Sequence, residues 1–112
     1  MIAQKGVETV SGEIKRLTKV REKTYLTIDM DVLDPAFAPA VQNPEPNGLS
    51  NSQLTQLIFQ ISDFRVAGFD LVEVSPHYDN GATSLQAARL IFELLSRIES
   101  SMRTLRINKR KE

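Results

Sequence analysis

Two short apolar runs, each followed by a loop and then a helical pattern, restrict this chain more than any other feature. The first is "TYLTIDM", residues 24–30, and the second is "RVAGFDLVEV", residues 65–74. Both are rich in β-branched and aromatic residues and largely apolar, which suits parallel strands buried on both faces. Helical patterns stand before, between and after them. Strands that alternate with helices imply parallel pairing through crossover connections.

The helices are read from spacing. Over residues 3–20, Val7, Val10, Ile14, Leu17 and Val20 recur at helical intervals, interrupted by Gly6 and Gly12. A second helix is predicted to start near Ser50, with Gln53 completing a capping box and Leu54, Leu57, Ile58 and Ile61 forming the stripe. A third is predicted over "ATSLQAARLIFELLSRIES", with Leu85, Ala88, Ile91, Phe92, Leu95 and Ile98 on the inward side. Residues 32–49 hold Pro35, Pro39, Pro44 and Pro46, which break regular elements and predict a long structured loop. The final "RTLRINKRKE" reads as a solvated, frayed end.

Two parallel strands cannot make a self-sufficient sheet, because both edges stay open and the core is small. The pattern therefore reads as α/β, two βα units plus an N-terminal helix, cut from a larger three-layer αβα parallel sheet. Open edges also predict self-association, or a need for the missing part.

Composition removes several classes of function. Charge is balanced at 14 basic and 14 acidic side chains, so nothing marks a nucleic-acid or membrane-surface binder. The absence of Cys excludes thiol catalysis, zinc–thiolate sites and disulfides. No apolar run approaches the ~18 residues of a membrane span, and residues 1–15 have no secretory pattern. A soluble, cytoplasmic protein is the expectation.

Carboxylates mark the chemistry. Asp29 and Asp31 close the first strand, two residues apart, and Asp34 follows. On a strand, that spacing points Asp29 and Asp31 the same way, and two like charges held together favour a cation between them. Hard divalent ions such as Mg²⁺ and Mn²⁺ suit such donors, and open parallel sheets bind ligands beyond their carboxyl ends. Asp34 before Pro35 reads as a turn residue. Glu73 sits in an apolar strand between Val72 and Val74, near the same rim. It is either a buried carboxylate meant for a cationic group or a plain exposed strand end.

These residues resemble the ureohydrolase family of arginase, agmatinase and formiminoglutamase. "TIDMDVLDPAFAPAVQNPEPNGL" follows the family's third metal motif through Thr27, Asp29, Asp31, Pro35, Pro39, Ala40 and Gly48, with Thr27 in place of Ser. "VAGFDLVEVSPHYDNGATSLQAARLIFELL" resembles the strand and helix that follow, and the P-E-P loop and "EVSPHYDN" look most like agmatinase. The resemblance implies an arginase-like fold and a binuclear Mn²⁺ site, with Asp29 bridging the two ions and Asp31 ligating one. Glu73 would hold the guanidinium of a small guanidino substrate such as agmatine. A water activated between the ions would attack the guanidinium carbon and release urea.

The family's upstream G-G-D-H and D-A-H-x-D motifs do not occur in these 112 residues, and the single histidine, His77, falls where the family carries no ligand. The expectation is therefore a partial ureohydrolase domain over residues 1–112, a C-terminal piece that is inactive alone. Two alternatives stand beside it. One is a non-catalytic remnant acting as an interaction module. The other is a haloacid-dehalogenase-type phosphatase, with Asp29 as nucleophile and Asp31 as acid/base, although Leu33 replaces that signature's Thr or Val.

Overall fold

The computed structural model describes residues 6–18 and 23–111. Among the described residues the helices and strands run α1 (Val7–Thr18), β1 (Thr24–Asp29), α2 (Asn51–Ile61), β2 (Val66–Val72) and α3 (Ala82–Lys111). β1 and β2 pair in parallel, from Thr24 against Val66 to Asp29 against Val72. Residues 3–5, 19 and 20 of the predicted first helix, Val20 included, lie outside the described residues. Within α1, Val7 and Val10 are buried as expected, but Leu17 is 60% exposed.

One core forms between a single face of the sheet and two helices. Ile28 of β1 meets Leu54 and Ile58 of α2 and Ala87, Leu90 and Leu94 of α3, with Leu26, Phe69 and Leu71 packed against them. α1 packs on α2. The expectation that both strands are buried on both faces is not met. Tyr25, Thr27 and Asp29, which alternate with the core residues of β1, are exposed. Period-two alternation sends them to the far face, and no layer among the described residues covers it. Two of the three expected layers are present here.

The capping signal at α2 is realised in full. The Gln53 N–H donates to Ser50 Oγ at 3.1 Å, and the Ser50 N–H donates to Gln53 Oε1 at 2.9 Å. Two of the helix's first N–H groups are thereby satisfied or held.

The expected inward face of α3 is corrected in part, since of the residues named for it Ile98 does pack against the core. Thr83, Ala87, Leu90 and Leu94 are buried, whereas Leu85 is 73%, Phe92 66% and Leu95 52% exposed. The helix carries apolar residues on two sides, and small Ala87 and Thr83 permit the close approach to the sheet that the bulkier stripe does not. The basic end is also corrected: it continues α3 as helix to Lys111, solvated along its length.

Candidate functional site at the carboxyl ends of the strands

β1 stops at Asp29, and a 3₁₀ turn, Met30–Val32, follows at once. Asp31 is thus on a turn, not on a strand, and strand alternation does not govern its direction. A cap joins the two carboxylates instead. Asp29 is the N-cap of the turn, and its Oδ1 accepts the Asp31 N–H at 2.9 Å. Met30 and Leu33, both fully buried, anchor the turn from below. Asp31 is half-buried, and its Oδ1 is a buried oxygen without a hydrogen-bond partner among the described residues. A buried, unpaired carboxylate oxygen is costly unless something cationic or a donor reaches it.

The Pro-rich loop is held by two fasteners. Asp34 accepts from the Ala36 N–H at 2.8 Å and the Asn47 N–H at 2.9 Å, joining the loop's two limbs. The backbone adds a parallel bridge, Leu33 to Leu49, through Leu49 N–H to Val32 O at 2.8 Å and Asp34 N–H to Leu49 O at 2.9 Å. Asp34 is therefore a loop residue, in line with its turn reading.

Glu73 follows the last residue of β2 on the same rim, since Asp29 pairs with Val72. It is exposed, so the buried reading of this side chain is corrected: the apolar neighbours divide between the exposed Val72 and the core-packed Val74. Its backbone has φ 72°, in the left-handed region that a non-glycine residue seldom occupies. Such strain persists only where the surroundings impose it, and it clusters at functional sites.

The surroundings are identifiable. Ala40 of the Pro-rich loop accepts the Ser75 N–H at 2.8 Å and donates its own N–H to Thr83 Oγ1 at 3.0 Å. Asp79 accepts from the Thr83 hydroxyl at 2.7 Å and from the Gly81 N–H at 2.8 Å. The loop that follows Asp29 and Asp31 is thus tied to the loop carrying Glu73 through Ala40, Thr83 and Asp79. Reading the sequence for chemistry alone passes over this network. An Asp two residues before a Gly, and four before a Thr at a helix start, is a capping signal that could have found it.

The Thr83 hydroxyl and the Gly81 and Thr83 N–H groups hold the Asp79 carboxyl below the usual range. Burial alone would raise the Asp63 carboxyl, but hydrogen bonds and charge from Arg65 lower it, at 2.9 Å between the charged groups. Asp70 accepts from the Tyr25 hydroxyl at 3.0 Å and pushes that phenol up. The three later aspartates that a phosphatase reading would draw on, Asp63, Asp70 and Asp79, each hold such a contact, although the Asp70 Oδ1 is buried without a partner among the described residues. His77 is exposed in a short 3₁₀ turn, as a solvated loop residue would be.

The donor chemistry fits a hard divalent ion in part. Asp29 and Asp31 are adjacent oxygen donors, and the Asp31 Oδ1 lacks a partner. Yet no group of three or more ligand-type side chains comes together among the described residues. Among the described residues, no helix is long and apolar enough to cross a membrane.

The model of the arginase family matches residues 1–96. A guanidinopropionase of Pseudomonas aeruginosa is 42% identical over 97 residues, covering 86% of this chain and 30% of the relative. A mitochondrial guanidino acid hydrolase of Homo sapiens is 50% identical over 92 residues, covering 81% and 26%. The crystal structure of the agmatine ureohydrolase of Thermoplasma volcanium superposes with a TM-score of 0.82 at 38% identity, covering 92% of this chain and 34% of that one. The chain spans about a third or less of the length of each of these proteins.

Proposed function

Because the chain belongs to the arginase family, we propose that it forms one wall of a metal-dependent guanidino-hydrolase site and needs the upstream part of such a domain to act. The observation that carries this reading is the joint position of Asp29, Asp31 and Glu73 at one end of the paired strands, with an unpartnered Asp31 oxygen and a strained Glu73 backbone. Asp29 and Asp31 would hold Mn²⁺. Such ions supply Lewis acidity that makes a water nucleophilic near neutral pH.

The chain's own residues do the remaining work. The Asp29 carboxylate fixes the turn through the Asp31 N–H, which keeps both ligand groups in one place. Glu73 is exposed and anionic, suited to take a guanidinium through charge-assisted, paired N–H···O bonds. The left-handed backbone at Glu73 aims that side chain independently of the strand's alternation. The Pro-rich loop, closed by Asp34 and tied to α3 through Ala40, would form one wall of the site. Hydrolysis then consumes one water and yields an amine and urea. Agmatine, giving putrescine and urea, is the substrate we favour from the "EVSPHYDN" and P-E-P segments. A guanidino acid is the second reading, favoured by the guanidinopropionase and guanidino acid hydrolase relatives. We assign the protein to the cytoplasm.

Fragment complementation tests the proposal. The chain is mixed with the upstream two-thirds of an arginase-family relative and Mn²⁺, and urea release is followed from agmatine, guanidinopropionate and arginine. Release that requires both parts and is lost in Asp29→Ala and Glu73→Ala is expected. Absence of release with every substrate, despite a stable complex, would leave the non-catalytic interaction module as the better account.

A further inference from the structure

The sequence holds two Asn-Gly pairs, Asn47–Gly48 and Asn80–Gly81. Asparagine is a thermally labile residue. Its weak point is attack by the next residue's backbone nitrogen on the side-chain amide carbon, and a following glycine has no side chain to obstruct that attack. Both asparagines are exposed, so exposure does not separate the pairs. Packing, and the partner of each glycine N–H, do separate them.

Asn47–Gly48 is locked. The Asn47 N–H donates to Asp34 Oδ2 at 2.9 Å, and the Gly48 N–H donates to the Glu45 carbonyl at 2.9 Å. A Cβ at Gly48 would lie within 2.9 Å of three backbone atoms. Ring closure has to swing the glycine nitrogen toward the Asn side chain, and close-packed backbone leaves no room for that movement. A carbonyl oxygen is also too weak a base to take the amide proton.

Asn80–Gly81 is open and has a base beside it. A Cβ at Gly81 would meet nothing within 4 Å. The Gly81 N–H donates to Asp79 Oδ1 at 2.8 Å. The Asp79 carboxyl is held below the usual range, so it is ionised at neutral pH. The acceptor on the attacking nitrogen is thus a carboxylate, placed where a general base has to stand.

We propose that Asn80 is a self-modification site, converting to aspartate and isoaspartate, with Asp79 relaying the proton. The Gly81 nitrogen bonds to the Asn80 Cγ, and its proton passes through the Asp79 carboxylate to the departing amide nitrogen. The bond from Cγ to that nitrogen breaks, ammonia leaves and a succinimide ring remains. One water then opens the ring at either carbonyl, giving aspartate or isoaspartate. Isoaspartate adds one carbon to the backbone between Asp79 and Gly81. Asp79 Oδ2 accepts the Thr83 N–H at 3.0 Å and the Thr83 hydroxyl at 2.7 Å, and a longer backbone cannot keep these bonds together with the one to Gly81. Thr83 Oγ1 in turn accepts the Ala40 N–H. Conversion therefore loosens the tie between the loop after β2 and the Pro-rich loop. It needs no hydrolase activity and does not rest on the proposed function.

Timed peptide mapping by mass spectrometry, on the whole chain held at mildly alkaline pH, is the test. Asn80 should gain the mass of an acid over an amide at least tenfold faster than Asn47, with isoaspartate identified by its backbone fragments. Asp79→Asn should slow the conversion at least threefold. Thr83→Val, which loosens the same segment but keeps the carboxylate, should not slow it. Amide hydrogen exchange at Ala40 should rise at least tenfold in the isolated isoaspartyl form and stay unchanged in equally aged Asn80→Gln. Conversion of Asn47 as fast as that of Asn80, or of neither, would overturn the proposal. Equal rates in Asp79→Asn and wild type, or equal slowing in Thr83→Val, would overturn the proton relay. Unchanged Ala40 exchange in the isoaspartyl form would overturn the loosening.

Discussion

The Thr83 hydroxyl donates to Asp79 at 2.7 Å while its oxygen accepts the Ala40 N–H at 3.0 Å. One fully buried side chain thus joins the start of α3, the loop after β2 and the Pro-rich loop after β1. Both loops adjoin candidate site residues, so the relative position of Asp29, Asp31 and Glu73 depends on an atom that is no part of the chemistry.

Thr83→Val should therefore be costly although its shape is nearly preserved. It leaves the Ala40 N–H without its acceptor in a buried place, at a cost of about 1–3 kcal/mol. It also alters the acid response. The Asp79 carboxyl is held low by the Thr83 hydroxyl first, then by backbone N–H groups. A carboxyl lowered by folding stabilises the folded state above its unfolded pKa of about 3.9, and that stability is lost as pH falls through the lower folded value. Urea midpoints measured between pH 7 and pH 2 should show part of this acid loss flattened in Thr83→Val. Equal pH slopes in the two proteins would refute the role given to the hydroxyl.

Gly48 explains its own place in the loop. A Cβ there would lie 2.6 Å from the Val32 carbonyl oxygen, 2.8 Å from the Asp34 nitrogen and 2.9 Å from the Glu45 carbonyl oxygen. All three are backbone atoms in the bridged part of the loop, so none can swing aside. Gly48→Ala should destabilise by about 1–3 kcal/mol. In a chemical denaturation series this appears as a lower midpoint with an unchanged slope. A variant as stable as wild type would mean that the loop is less tightly closed than these distances require.

The α2 cap gives a smaller and cleaner effect. Ser50→Ala removes the acceptor for the Gln53 N–H and one half of the capping box, at a cost of about 1 kcal/mol. For a domain of this size that is a fall of roughly 4–8 °C in Tm. Ser50→Asp should recover most of it, because a carboxylate caps as well as a hydroxyl. Failure of Asp to rescue would point to the packing of Ser50 rather than to its cap.

How far the sequence could be read follows from the reach of each signal. The α2 start was legible because a capping box is written in two residues three apart. Both strands and their parallel order were legible because a short β-branched run between helices has few alternatives. Asp29 and Asp31 were found at the correct end of β1, but the 3₁₀ turn that joins them was not, since it depends on burial of Met30 and Leu33 by distant parts of the chain. Glu73 was placed on the correct rim with its burial left open, and the exposed alternative is the one realised. Its apolar neighbours spoke for a buried strand, and the far face of the sheet is open among the described residues. Pro-rich composition announced the loop, while the Asn47–Asp34 and Ala40–Thr83 bonds join residues 13 and 43 apart, beyond the reach of any local pattern.

The largest misreading, the face of α3, yields the sharpest comparison. A stripe of bulky residues at helical spacing is expected to face inward, and Leu85, Phe92 and Leu95 do not. Leu94 is fully buried against Ile28 and Ile58, so Leu94→Ala removes buried methyl groups and leaves a cavity. A cost of about 2–5 kcal/mol is expected. Leu85→Ala, at a side chain 73% exposed, should stay within about 0.5 kcal/mol of wild type when measured on dilute monomer. The two substitutions delete the same atoms from the same helix, so composition and helix propensity cancel between them. Urea unfolding of both at one low protein concentration separates the faces directly. Equal costs would mean that α3 is rotated from the orientation described, with Leu85 sharing the core.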